Sequence, residues 1–245
     1  MLGITHVGVS GQRGFTLIEM SIVLVIIGLI IGGILKGQEI IESSRQKNVI
    51  TQIDTVRAAI NTFADKYNAL PGDYGSATAR VNANLSDGND NGLIGANDLV
   101  ATGGAASSEN IEFFNHLNGA ELVSGTTITQ AIAAGFGDGQ PLPTVAIPGA
   151  GMTVVYGLHN EDTNAARQTH WVRIHKGVAG VTSGATNGAF TGRSLFQVDL
   201  KIDDGNGVRG SARNIVAHTD CSTAAGAYVS LGNIQSCVGV FELVQ

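Results

Sequence analysis

Charged side chains are scarce in this sequence. Asp, Glu, Lys and Arg make up 14% of its 245 residues, against roughly 25% in an average soluble domain. The formal net charge is -6, and Lys and Arg form no extended run. A surface that follows nucleic-acid phosphates needs clustered positive charge. Nucleic acid is therefore not expected as a partner.

Proline and cysteine are also rare. The chain has four Pro but 34 Gly, which predicts a part rich in loops. The length allows one or two domains. The only two cysteines, Cys221 and Cys237, lie near the C-terminus. Their spacing suits one disulfide in an oxidising compartment, although two buried free thiols are the alternative.

One long apolar run stands out near the N-terminus. Residues 15–35 are rich in Leu, Ile and Val and carry a single charge, at Glu19. About 21 such residues are enough to cross a bilayer as a helix. Arg13 precedes the run and Lys36 follows it, so positive charge alone does not determine the orientation. A conventional export signal would place small residues after the run, but here the small residue, Gly14, lies before it.

Residues 14–20 read GFTLIEM. This heptapeptide resembles the cleavage and methylation motif of type IV prepilins and type II secretion pseudopilins. The resemblance implies that a prepilin peptidase cuts between Gly14 and Phe15, removes the 1–14 leader and methylates the new amino group of Phe15. It also implies a single pass through the inner membrane, with the N-terminus in the cytoplasm and the head outside. The final location would be a pilus or a periplasmic pseudopilus.

The same resemblance implies several partners besides the peptidase. They are the lipid bilayer before assembly, the inner-membrane assembly platform, copies of this chain and other pilins. No cofactor is required for such a role.

Glu19 is the one ionisable residue inside the apolar run. A carboxylate in hydrocarbon is costly and is by default functional. After cleavage, the α-amino group of Phe15 would be a cation one helical turn away, or beside the Glu19 of an adjacent subunit. The resemblance favours the pairing between subunits, which would set the axial register of a filament. The alternative is an ordinary signal anchor in which Glu19 reaches the membrane interface.

The helix is predicted to continue beyond the membrane, over 15–68, because the first proline is Pro71. Apolar residues recur every three or four positions at Ile50, Ile53, Val56, Ile60, Phe63 and Tyr67. This stripe predicts packing on a globular head, residues 69–245. A coiled-coil seam is the alternative, but the stripe lasts barely three heptads. The expected fold is α+β and pilin-like: a long N-terminal helix packed on an antiparallel sheet.

A loop after the helix has the spacing of calcium ligands. Asp87, Asn89, Asn91 and Asp98 match positions 1, 3, 5 and 12 of an EF-hand loop, with the Leu93 carbonyl at position 7. Asp98 is shorter than the usual Glu, so we expect a weak Ca²⁺ site suited to about millimolar calcium. The alternative is a glycine-rich turn with Asx caps.

The rest of the head is predicted to contain one short helix and three strands. Ser107 and Ser108 would begin the helix, with Glu109 and Glu112 in its first turn. Alternating apolar residues predict strands at 152–158, 172–174 and 196–202. A turn is expected at 203–207, where the acids with Asp199 could instead collect a cation.

Catalysis is not expected. His159, His170, His175 and His218 match no catalytic or zinc motif. A filament subunit accounts for the leader, Glu19 and the long helix together, and the late cysteines resemble the disulfide of type IV pilins. The predicted function is a structural subunit of a type IV pilus-like filament. The alternative is a pseudopilin of a type II secretion system.

Overall fold

A computed structural model describes residues 14–95, 109–129, 136–137, 139–157, 169–177, 188–214, 221–223, 225–229 and 235–243. The chain divides into two compact units, Met1–Ser44 and Arg45–Gln245. The described helices are α1 (Leu17–Tyr67), α2 (Ala77–Arg80), α3 (Glu109–Gly119) and α4 (Gly192–Ile202). The described strands are β1 (Gly151–Gly157), β2 (Thr169–His175), β3 (Ala212–Asn214) and β4 (Gly239–Glu242).

The first part of α1 buries none of its apolar side chains. From Phe15 to Ile41 every Leu, Ile and Val is exposed. α1 is long and apolar enough to cross a membrane, judged by length and composition. The observed helix, Leu17–Tyr67, differs from the helix predicted over 15–68 only at its ends.

The second part of α1 presents the predicted amphipathic stripe. Val49, Ile53, Val56, Ile60 and Phe63 are buried in the core of the head. The opposite face carries polar side chains that are exposed or half-buried, namely Arg45, Lys47, Asp54, Arg57, Asn61 and Asp65. The stripe is therefore a packing face for the chain's own head, as the sequence predicts.

The head is built on one antiparallel sheet in the order β1-β2-β4-β3. Met152 of β1 pairs with Ile174 of β2, and Val172 pairs with Phe241 of β4. These side chains belong to the same core cluster as the buried stripe of α1. The α+β arrangement of a long helix on an antiparallel sheet is confirmed.

The strand predicted over 196–202 is wrong, because these residues lie in α4. Thr191 Oγ1 accepts a hydrogen bond from Ser194 N, 3.1 Å, and Thr191 N donates to Ser194 Oγ, 2.9 Å. This capping box starts a helix. Leu195 and Val198 are buried, whereas Phe196 and Leu200 are exposed. The helical spacing therefore prevails over the alternation.

This element contacts the second part of α1 through polar side chains. Gln46 Nε2 of α1 donates to Gln197 Oε1 of α4, 2.7 Å, and Lys201 Nζ donates to Gln46 Oε1, 3.2 Å. The chain turns after α4, as predicted for residues 203–207. In this turn Asp204 Oδ1 accepts a hydrogen bond from Asn206 N, 2.8 Å.

α3 is more deeply buried than a helix at the edge of a head would be. All its residues from Asn110 to Leu117 are buried. The predicted capping residues, Ser107 and Ser108, lie outside the described residues. Strands β3 and β4 are not among the predicted elements. Cys221 and Cys237 form a disulfide, with both side chains fully buried.

Candidate functional site

The N-terminus of α1 is closed by a reciprocal pair of hydrogen bonds. Glu19 N donates to Thr16 Oγ1, 3.3 Å, and Thr16 N donates to Glu19 Oε2, 2.8 Å. Thr16 Oγ1 also donates to the same carboxylate oxygen, 2.7 Å. Thr16 and Glu19 therefore form a capping box. Thr16 is the N-cap residue, just before Leu17, the first helical residue.

This capping role of Glu19 is one that the sequence-based prediction missed. The signal was present, because Thr16 and Glu19 have the T-x-x-E spacing of a capping box. A negative charge is also favourable at this position, since the first turn of a helix carries a partial positive charge. Both Thr16 donors use Oε2, so Oε1 accepts no hydrogen bond within the described part of the chain.

The bond between Gly14 and Phe15 lies just outside α1. Both residues are exposed and neither is helical. A Cβ added at Gly14 would meet no atom within 4 Å among the described residues. The scissile bond predicted from the sequence is therefore accessible and lies in irregular backbone, as a peptidase would require.

The predicted calcium ligands lie in a turn whose side chains accept local hydrogen bonds. Asp87 Oδ1 accepts from Thr78 N, 2.7 Å, and Asn91 Oδ1 accepts from Leu93 N, 2.7 Å. Asn89 Oδ1 accepts from Asn91 N, 3.0 Å. Asp98 lies outside the described residues. Asn89 and Asn91 therefore form Asx-type turns, and calcium binding stays a prediction.

Asp73 organises this loop from outside the predicted ligand set. Its Oδ1 accepts from Asn91 N and its Oδ2 accepts from Gly92 N, both at 2.8 Å. The backbone of Asp73 also lies so close to Gly88 that a Cβ at Gly88 would approach it to 2.1 Å. Sequence reasoning missed Asp73 because it lies about 18 residues away in the chain, where no local pattern connects it to the loop.

A second acidic group lies at the end of α4. Carboxylate oxygens of Asp199, Asp203 and Asp204 lie within 4.8 Å of one another. Asp199 is fully buried, and it accepts from Tyr228 Oη, 2.9 Å, and from Gly205 N, 3.3 Å. Burial raises the pKa of Asp199 to about 6, and the two neighbouring acids add to the effect. Asp199 therefore links α4 to the region closed by the disulfide.

Two of the histidines considered as catalytic candidates are buried strand residues. His170 Nε2 accepts from Ile94 N, 3.2 Å. His175 shares a 2.8 Å hydrogen bond with Thr153 Oγ1. Burial lowers the pKa of His170, and it lowers that of His175 to about 4. Both rings therefore hold structure in the head, and His159 and His218 lie outside the described residues.

Comparison with known proteins bears on the N-terminal site. A family model described as the prokaryotic N-terminal methylation motif matches residues 9–35. The chain carries the N-terminal signal of type IV pilins and pseudopilins. The matched range contains Gly14, Phe15 and Glu19 and ends with the apolar run. No curated protein and no solved structure matches the chain.

The pilin signal implies processing by a prepilin peptidase and assembly with other pilins. The signal and the exposed apolar helix together fit a membrane-anchored pilin precursor. Proteins with this signal are structural and generally non-enzymatic.

Proposed function

We propose that this chain is a structural subunit of a type IV pilus-like filament. It polymerises through its N-terminal helix after the leader is removed between Gly14 and Phe15. The observation that carries the proposal is the methylation motif at residues 9–35. The motif coincides with the first part of α1, in which every Leu, Ile and Val side chain from Phe15 to Ile41 is exposed.

In this proposal the exposed apolar surface of the first part of α1 is covered in two successive environments. Before assembly, lipid covers the apolar side chains, with the N-terminus in the cytoplasm and the head outside the inner membrane. After assembly, neighbouring subunits cover them. Both states remove from water the side chains that the chain itself does not bury, at about 25 cal/mol per Å² of apolar area.

Glu19 sets the axial register in this proposal. Cleavage creates an α-amino group on Phe15, and the Glu19 of a neighbouring subunit pairs with it. The capping box supports this role, because it points Oε2 at Thr16 and leaves Oε1 for a second partner. Any other register would leave both charges in an apolar surrounding without compensation.

A type II secretion pseudopilin is the alternative, because the methylation motif is common to both classes. The disulfide between Cys221 and Cys237 favours the pilus, since it resembles the disulfide-bounded region of type IV pilins. The two functions differ in where the filament is found. A pilus subunit is recovered from the cell surface, whereas a pseudopilin remains in the periplasm.

Shearing of cells tests this directly. Filaments are collected from the medium, and their subunits are analysed by mass spectrometry. We expect abundant chain that begins at N-methylated Phe15. The absence of this chain from sheared filaments, with processed chain in the membrane fraction, would favour the secretion pseudopilus. Unprocessed chain in wild-type cells would overturn the proposal.

Two substitutions separate processing from assembly. Gly14→Leu should block cleavage, because it fills the position next to the scissile bond. Gly37→Leu is its control, since neither glycine has an atom within 4 Å of an added Cβ among the described residues. Immunoblots report the precursor and the mature chain by size. Normal cleavage of the Gly14 variant would contradict the proposed site.

Glu19→Gln tests the register without destroying the cap, because Gln also closes a capping box. We expect this variant to be processed normally and to yield few or no filaments. Glu39→Gln is the control, since Glu39 is an exposed acid on the same helix whose partner, Lys36, is also exposed. If Glu19→Gln assembles normally and only Glu19→Ala fails, the cap rather than the charge is needed, and the register proposal is wrong.

A further inference from the structure

His116 on α3 joins two distant points of the chain. Its Nδ1 accepts a hydrogen bond from Gly72 N, 2.9 Å, and its Nε2 donates to Ser86 O, 2.8 Å. The side chain is fully buried and stacks on Phe63 of α1, with ring centroids 6.1 Å apart. One imidazole therefore holds the backbone that follows α1 and the loop that comes after α2.

The residues between these contacts form one segment, 72–94, held at both ends by histidines. At its far end Ile94 N donates to His170 Nε2, 3.2 Å, and Ile94 O accepts from Tyr156 N, 2.9 Å. At its near end Gly72 has φ +89, and an added Cβ would approach Glu109 O to 2.6 Å. Gly72 is therefore pressed against α3, and its N–H has a fixed direction toward the His116 ring.

Both histidines must be neutral for these bonds to exist. A neutral imidazole has one ring nitrogen that accepts and one that donates, whereas the protonated ring has two donors. The partners of His116 Nδ1 and His170 Nε2 are backbone N–H groups, which cannot become acceptors. Protonation would therefore set two donors against each other in a buried site, and it would also bury a positive charge.

The acids near His116 do not outweigh the cost of burying such a charge. Glu112 of α3 lies 3.9 Å away, but burial raises the pKa of Glu112. Its Oε1 and Asn115 Oδ1 are buried without hydrogen-bond partners among the described residues. Asp87 is the other acid near His116, and its carboxylate already accepts from Thr78 N. Burial accordingly lowers the pKa of His116.

The surroundings of His170 also favour the neutral ring. Its ring lies 5.0 Å from that of Tyr156, and Asp73 is the charged group that acts on it. Asp73 is itself engaged with Asn91 N and Gly92 N inside the segment. Burial outweighs this acid and lowers the pKa of His170.

We propose that His116 is an acid sensor, supported by His170, whose protonation releases the 72–94 segment from the head. The sign follows from linkage. The released segment exposes histidines that bind protons at about pH 6.5, whereas the closed form does not. The closed form has its full stability above about pH 6.5 and loses stability progressively as the pH falls below that value. The sheet keeps its own hydrogen bonds during this release.

Hydrogen exchange of the full chain in detergent micelles tests the proposal. Opening constants for residues 72–94 are obtained between pH 7 and pH 5, after correction for intrinsic exchange. We expect them to rise about tenfold, while β1 and β2 keep their protection. Protection that is unchanged in 72–94, or that is lost equally in the sheet, would overturn the proposal.

His116→Gln sharpens the test, because Gln keeps one acceptor and one donor but does not titrate. The rise in opening on acidification should shrink severalfold in this variant. Glu109→Gln is the control, since Glu109 also contacts the segment: its Oε1 accepts a hydrogen bond from Asn89 Nδ2. If the Glu109 variant removes the pH dependence and the His116 variant does not, the sensor is the carboxylate and the proposal is wrong. If His116→Gln does not fold, the unsubstituted chain still tests the release itself, because protection in 72–94 that does not change between pH 7 and pH 5 overturns the proposal.

Discussion

Both parts of α1 contain large aliphatic side chains, but only the second part buries them in the core. Ile30 in the first part is 54% exposed, whereas Ile53 in the second part is fully buried. Both are Ile in the interior of the same helix. Helix formation therefore does not depend on burial at each position. The difference is that residues after Arg45 belong to the unit with its own core, and those before it do not.

The two units also differ in the burial and the hydrogen-bond partners of a carboxylate. Glu19 is exposed and forms its hydrogen bonds to Thr16 within the first turn of its own helix. Asp199 is fully buried and depends on Tyr228, which is 29 residues away. An exposed local pair can exchange partners during assembly at little cost. A buried long-range pair instead joins distant parts of the head.

The largest difference in the free energy of unfolding should come from the same substitution, Ile to Ala, made once in each unit. Ile53→Ala should lower the free energy of unfolding of the head by about 2 to 5 kcal/mol, because it leaves a cavity in the core. Ile30→Ala should change it by less than about 0.5 kcal/mol. Urea unfolding followed by the fluorescence of Trp171, a buried residue and the only Trp, reports on the head alone. Equal losses in the two variants would contradict the division into two units.

Removal of the disulfide should have the next largest effect, again confined to the head. A loop of about 15 residues contributes about 3 kcal/mol by restricting the unfolded chain, and Cys221 and Cys237 are 16 residues apart. The double variant Cys221→Ala, Cys237→Ala should lose about that much in the same urea assay. The chemically reduced parent is its control and should behave alike. A variant that no longer enters the membrane would show that the two units are not independent.

Asp199→Asn should have the smallest effect and the opposite sign. The folded state raises the pKa of Asp199 from 3.8 to about 6, so the ionised group costs stability above pH 6. That cost disappears as the pH falls from about 6 to 4. The amide can still accept from Gly205 N and donate to the Tyr228 oxygen. The variant should therefore be more stable than the parent at pH 7.5, by roughly 2 kcal/mol.

The difference between variant and parent decides this prediction, because acidification also acts on the buried histidines of both proteins. The stability gained by Asp199→Asn should shrink toward zero near pH 4. Asp65→Asn, an exposed acid of α1, is the control and should stay within about 0.5 kcal/mol at every pH. A gain that is independent of pH would show that the effect is not one of ionisation.

The sequence predicted the elements whose pattern is local and long. α1 has an uninterrupted helical spacing, and β1 and β2 show clear alternation. It did not predict β3 and β4, which are three and four residues long and exist because they pair with strands far away in the chain. It assigned α4 to the wrong class, because Val198 and Ile202 fit both an alternating and a helical series.

The residues of the candidate site also fall into those that local sequence predicts and those that distant contacts position. Gly14, Phe15 and Glu19 were predicted from a contiguous motif that the family comparison supports. The capping box could have been predicted, since Thr16 and Glu19 are three residues apart. Asp73 and His116 could not, because each acts on backbone groups between 18 and 44 residues away. Short-range patterns carry no record of such contacts.

The sequence by itself predicts the cleavage site, the apolar part of α1 that is long enough to cross a membrane, and Glu19 as the one acid in that part. Those properties depend on neighbours along one helix, where spacing is known from geometry. Tertiary structure alone decided which half of α1 is buried, that residues 192–202 form a helix, and that buried histidines hold the loop after α1. Those properties depend on which distant groups meet in the core, because desolvation and hydrogen bonding there outweigh local propensity.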